Sequence, residues 1–161
     1  MKELFATYIQ PVMEFGSVIW NTGYVGDVRR LESVQRFFTK KVSGFEGLSY
    51  SERLARLDLY SFEGRLLRTD MIQCWKILHN KSPIQPEDVF TMRQRQTRGH
   101  EFTVFKERCN TDIRKRFFSN QITDEWNALP SDVVCAQSID AFKAKLHDHL
   151  KERLYHHCDS F

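Results

Sequence analysis

Apolar residues recur at three- and four-residue spacing along most of this chain, a period that suits helices and little else. Ile139, Phe142, Leu146, Leu150 and Leu154 repeat on one helix face behind Ser138, which can cap it. Ser61 can cap a second long helix, with Glu63 in its first turn. Leu67, Met71, Cys74, Trp75 and Leu78 share that helix's inward face, and Arg65, Arg68 and Lys76 are expected away from it. Ser49-Tyr50-Ser51-Glu52 matches a capping box and opens a short helix carrying Leu54 and Leu57. Residues 3–9 and 11–21 read as helical pieces joined at Pro11, with Tyr8, Val12, Phe15 and Ile19 along one apolar side. Thr111 should cap a further helix with Ile113, Phe118, Ile122 and Trp126 inward, stopped by Leu129-Pro130.

One helix has two opposed faces. In Leu31 to Lys40, LESVQRFFTK, a rotation of about 100° per residue puts Leu31, Val34 and Phe38 on one side. Arg29, Arg36 and Lys40 fall opposite. The spacing predicts Leu31, Val34 and Phe38 as core and the cations as a solvent stripe suited to phosphate contact. An ordinary amphipathic surface helix would show the same spacing.

Asn21 to Gly26 is a turn, and Asn80 to Asp88, with Pro83 and Pro86, is the clearest linker. Met92 to His100 is polar and basic, and Phe102, Thr103 and Val104 lean towards a strand. The expected fold is mostly α: a small helical bundle lobe over 1–80, a Pro-containing linker over 81–90, and a second helical lobe over 91–161. That second lobe carries a basic loop and one short strand or hairpin.

Charge is unevenly placed. The net charge is +3, yet residues 91–116 hold eight Lys or Arg against three acids, and residues 27–41 hold five against two. Two basic segments permit nucleic-acid binding without requiring it. In the second, Arg93, Arg95, Arg98 and His100 precede Phe102 and Phe105, and Arg114, Lys115 and Arg116 extend the field. A solvated loop with its aromatics in the core accounts for the same composition. No phosphate-cradling glycine loop, nucleophile elbow or paired metal-binding acids stand out, since adjacent Asp124 and Glu125 point apart on a helix. His147, His149, His156, His157 and Cys158 cluster near the end, but helix C-termini favour imidazoles through the dipole alone, and no metal site is assigned. Four dispersed cysteines without a C-x-x-C pair suit a reduced, intracellular chain, cytoplasmic or nuclear. No apolar run approaches a membrane span, so no membrane partner is expected.

LESVQRFFTK, followed by Gly44 to Leu54, resembles the C-terminal part of non-LTR retrotransposon (LINE) reverse transcriptases, with the jockey and chicken-repeat clades nearest. Tyr8 to Gly16 with Trp20 looks like the family's segment "l-x-P-x-l-E-Y-x-x-x-x-W", with Phe15 where Tyr is usual. Leu57-Asp58-Leu59 through Glu63, Arg65, Arg68 and Asp70 resembles a further segment, in which Leu66 replaces the second arginine of a pair. Thr97 to His100, Arg114 to Asn120, Trp126 to Pro130 and Ser138 to Leu146 match later stations in the same order.

The resemblance implies the later thumb and post-thumb region of an RNA-directed DNA polymerase, truncated of its palm and endonuclease. The palm aspartates, including the Y-x-D-D motif, and the divalent metal such as Mg that they hold would lie outside this chain. It implies no catalysis, cofactor or small-molecule substrate here. The implied partners are an RNA or DNA template–primer duplex and the polymerase palm. The nucleic-acid-binding candidates are Arg29, Arg36, Lys40, Lys41, Arg93, Arg95, Arg98, His100, Arg114 and Lys115. The alternative is a helical interaction module, or a degenerate fragment without activity of its own, exposing Tyr8, Val12, Phe15 and Ile19 as an apolar patch.

Overall fold

A computed structural model describes residues 2–21, 23–92 and 100–155, the side chains of 152–155 excepted. The fold is mostly helical. In chain order the elements are α1 (Lys2–Leu4), a π-helical turn (Phe5–Ile9), α2 (Gln10–Glu14), α3 (Ser17–Trp20), α4 (Val25–Lys40), α5 (Tyr50–Leu57) and α6 (Phe62–Leu78). They continue with α7 (Pro86–Val89), α8 (Asp112–Lys115), α9 (Phe118–Asn127), α10 (Ser131–Val134) and α11 (Ile139–Tyr155). Two compact units divide the chain: residues up to Leu67 together with those from Leu150, and Arg68–His149. The division falls inside α6, and residues 81–90 lie within the second unit.

In the first unit the wide turn ends just before Pro11, whose ring would clash with the Thr7 carbonyl in a regular α-helix. Gly16, at φ 66°, then separates α2 from α3, a backbone state that costs glycine least. The apolar core is small: Phe5, Tyr50, Leu54 and Leu59 are buried, with Met13, Phe38 and Leu57 packed on them. Phe5 and Phe38 stack at 4.6 Å between centroids. The apolar side of the N-terminal helices faces solvent, with Tyr8, Val12, Phe15 and Ile19 between 70% and 90% exposed.

Phe62 and Leu66 are buried in the same unit, and polar residues share that interior. Glu32, Gln35 and Thr39 of α4 are the buried ones, and each meets a partner far away in sequence. One Glu32 oxygen accepts the Tyr50 hydroxyl, and the other accepts the amides of Phe62, at 2.8 Å, and Glu63, at 3.3 Å. Ser61 Oγ accepts the Gly64 amide at 3.0 Å, and its carbonyl accepts Arg65 N at 3.0 Å. The three leading amides of α6, which have no partner within the helix, are thereby satisfied, two of them by a carboxylate at the positive end of the helix. Burial, then the Glu32 carboxylate, raises the Tyr50 pKa, so its hydroxyl stays a donor.

Gln35 donates to the Tyr60 carbonyl at 2.8 Å and accepts from Arg65 at 2.7 Å. Arg65 Nε lies 2.6 Å from Glu14 as an ion pair whose atoms are not aligned as a hydrogen bond. Arg65 is therefore buried, against the expectation that it points away, with Gln35 as an acceptor and the Glu14 carboxylate as a counter-charge beside its guanidinium. Arg53 donates to Thr39 at 3.2 Å and to the Leu48 carbonyl at 2.7 Å. The Ser49–Glu52 capping box is present at the start of α5.

In the second unit the core is aromatic. Trp75 stacks on His79 at 4.3 Å and on Phe142 at 5.5 Å, and His79 stacks on Phe102 at 4.2 Å. The 100–105 segment is tied to the end of α9 by successive polar contacts. His100 Nε2 bonds the Trp126 carbonyl at 3.2 Å, and Trp126 Nε1 donates to the Phe102 carbonyl at 2.8 Å. The Asn127 amide then pairs with both backbone groups of Val104, at 3.0 and 2.9 Å. The expected strand is reduced to one antiparallel bridge between Met92 and Val104; the described residues contain no strand. A side chain, Asn127, holds Val104 where a neighbouring strand would. Thr111 and Ser138 cap as expected, but Ile113 is exposed because α8 ends at Lys115, too short to turn that face inward.

Two predictions follow from these contacts. Glu32→Ala should lower stability by about 3 kcal/mol, since it strands buried donors, and Glu32→Gln by roughly half as much. Equal losses for the two in urea unfolding would contradict the carboxylate's role. Burial lowers the pKa of both His79 and His100. The unfolded chain takes up these protons first, so stability should be full above about pH 6.5 and fall on acidification below it. Glu14, whose pKa burial raises, acts in the opposite sense, so the histidines are isolated by comparison. Between pH 7.5 and 5.5 the urea midpoint should drop less in a His79→Gln/His100→Gln variant than in the parent chain.

Candidate nucleic-acid interface

The face that α4 presents to solvent follows from the face it buries. Asp27 in its first turn and Lys40 in its last complement the helix dipole. Burying Glu32, Gln35 and Thr39 rotates the helix by about 100° from the orientation that would bury Leu31, Val34 and Phe38. Val34 is consequently exposed, and Leu31 and Phe38 are half-buried. Those three were expected as core. The apolar count along α4 points one way, and the distant partners of its polar residues pull it another.

The cations move with that rotation. Arg29, Lys40 and Lys41 are exposed, as a phosphate contact requires. Arg36 is half-buried, its guanidinium 4.5 Å from the centre of the Tyr50 ring. The outermost line of the helix runs through Arg30, Phe37 and Lys41, and neither Arg30 nor Phe37 was among the expected site residues. Arg30 approaches Asp27 at 3.9 Å, both side chains largely in water. Lys41 lies 5.2 Å from the centre of the Phe37 ring. The i, i+7, i+11 spacing of these three was legible, but their position at the pole required knowing which face is buried.

The second basic segment is divided. Arg93, Arg95 and Arg98 lie outside the described residues. His100 is 2% exposed and bonded to the Trp126 carbonyl, so it is a buried tether and offers no surface contact. Arg114 is held by Glu107 at 2.9 Å, which raises its pKa, and lies 5.2 Å from the Phe117 ring centre. Lys115 pairs with Asp112 at 3.2 Å. Both pairs are exposed and weak, so a phosphate would exchange one partner for another at small cost. Lys106 pairs with Asp124, Arg108 is exposed and Arg116 half-buried, and none of these three cations of the same segment was expected as a site residue.

A cavity of about 320 Å³ opens beside Trp20, Tyr24, Val28 and Leu31, and its charged residues are Asp27 and Arg30, the pair just described. Among the described residues no three His, Cys, Asp or Glu gather to hold a metal ion. Of the C-terminal histidines, His149 is exposed and His147 half-buried, while His156, His157 and Cys158 lie outside the described residues. No helix among the described residues is long and apolar enough to cross a membrane. No family model, curated protein or solved structure matches the chain.

Proposed function

We propose that this chain is a non-catalytic, nucleic-acid-holding region of the kind found at the C-terminal end of non-LTR retrotransposon RNA-directed DNA polymerases. Its ligand is a template–primer, and its protein partner is the polymerase palm, which supplies the catalytic aspartates and their divalent metal. The observation that carries this reading is the solvent face of α4, where Arg29, Arg30, Lys40 and Lys41 are all exposed on one rigid helix and its C-terminal residue. Such a face binds backbone phosphates without reading sequence, by releasing condensed counterions.

With about five phosphate contacts, the logarithm of the affinity for an RNA–DNA duplex should fall against log salt with a slope near −4 to −5. Lys40→Gln and Arg29→Gln should each reduce that slope by about 1. Binding that ignores salt, or no binding at low salt, would overturn the reading.

A second reading is favoured by a separate observation: the exposed apolar line of Tyr8, Val12, Phe15 and Ile19. Exposed apolar residues in such a line mark surfaces that associate. On this reading the chain is a helical interaction module. Light scattering should then show concentration-dependent association that Phe15→Ser weakens, and a monomer at high concentration would exclude it.

A further inference from the structure

The outward pole of α4 carries an aromatic ring where a purely electrostatic grip needs none. Phe37 is 65% exposed, although the same unit buries Phe5 and Phe62 completely. Arg30 precedes it by seven residues and Lys41 follows by four, so cations stand about 10 Å to one side of the ring and about 6 Å to the other along the helix axis. Arg30 and Phe37 differ by only about 20° around that axis, as do Phe37 and the ideal direction of the helix's outer pole. The Lys41 ammonium already sits 5.2 Å from the ring centre. Val34, exposed one turn before, widens the apolar spot without adding charge.

A planar π-face bracketed by cations complements a planar base bracketed by phosphates. In a duplex each base is stacked and paired, so its face is not available, and a protein helix meets only backbone. An unpaired base has a free face, and stacking on an aromatic side chain is tolerant of sequence. We propose that Phe37, with Arg30 and Lys41, forms a binding site for an unpaired nucleobase and its flanking phosphates, so that this face of α4 prefers single-stranded nucleic acid or a frayed end to a closed duplex. The inference rests on the nucleic-acid reading above and adds a ligand preference to it. Phe117 beside Arg114 has a similar pairing, but there the cation meets Glu107 at 2.9 Å, closer than the 3.9 Å between Arg30 and Asp27.

The test compares a labelled single-stranded oligonucleotide with a blunt duplex of equal length, at low salt, on the full chain and on Phe37→Ala. Because Phe37 is mostly in water, its removal should leave the thermal midpoint and circular dichroism unchanged. The expected result is a loss of about fivefold or more for the single strand and less than twofold for the duplex. A Phe37→Trp variant supplies a direct readout: the added indole fluorescence should be quenched by the single strand and not by the duplex. Equal losses on both ligands, or no loss on either, would overturn the stacking site while leaving the nucleic-acid reading intact. A full chain that binds neither ligand would overturn both. Self-association of the full chain that Phe37→Ala abolishes, without nucleic-acid binding, would assign the ring to a protein interface instead and likewise refute the site.

Discussion

The Glu32 carboxylate at the start of α6 is the contact on which the first unit depends. A buried carboxylate is costly unless its oxygens are fully engaged. Here one oxygen accepts the Tyr50 hydroxyl, and the other accepts the two leading amides of α6. Those amides have no partner within their own helix, and the dipole there favours negative charge. One side chain thus joins three helices: it belongs to α4, takes a proton donor from α5 and caps α6. The neighbouring contacts extend the same pattern, with Gln35 between Tyr60 and Arg65 and with Thr39 beneath Arg53. The apolar cluster around Phe5 and Leu54 supplies area, and the polar set supplies direction.

The second unit solves a different problem with the same means. Among the described residues the 100–105 segment pairs with extended chain only at the Met92–Val104 bridge and through the Phe105 amide on the Thr91 carbonyl, which leaves other backbone groups to be satisfied. Trp126 and Asn127 meet that need from the end of α9, through an indole donor and a carboxamide that pairs with both groups of Val104. Two histidines complete the packing, His79 stacked between Trp75 and Phe102 and His100 bonded to the Trp126 carbonyl. Carbonyls can only accept, so His100 carries its proton on Nε2 while neutral. The tether begins just after the Arg93–Arg98 stretch in sequence, so a residue expected to contact nucleic acid instead fastens the chain.

Local signals were legible in the sequence, and distant ones were not. The Ser49 capping box and the Ser61, Thr111 and Ser138 caps each form where the residues imply. Each of these depends on atoms within about four residues. The helical class follows from apolar period in the same way. The rotation of α4 failed because apolar moment treats Glu32, Gln35 and Thr39 as outward by default, and nothing nearby reveals Tyr50, Tyr60 or Arg53 as partners. Arg65 was misplaced for the same reason. Tyr8, Val12, Phe15 and Ile19 form a regular apolar line, yet the first unit leaves that line in water. Periodicity reports which residues share a face; it does not say that the face has anything to cover it.

The buried polar set also bears on how α4 could act as a binding surface. A helix seated only by apolar contacts can roll by tens of degrees at little cost, because dispersion and area burial are nearly indifferent to angle. Hydrogen bonds are not, weakening steeply once the donor–acceptor line bends. With Glu32, Gln35 and Thr39 each held to a fixed partner, a small roll would break several bonds at once. The side opposite is therefore held in register, so Arg30, Phe37 and Lys41 keep one orientation to solvent. Long cationic side chains gain little affinity from a mobile platform, since each must lose its own freedom on binding. A platform fixed from beneath removes the backbone share of that cost. The polar interior and the charged exterior of α4 are thus two consequences of one rotation, and a substitution that released the first would blur the second.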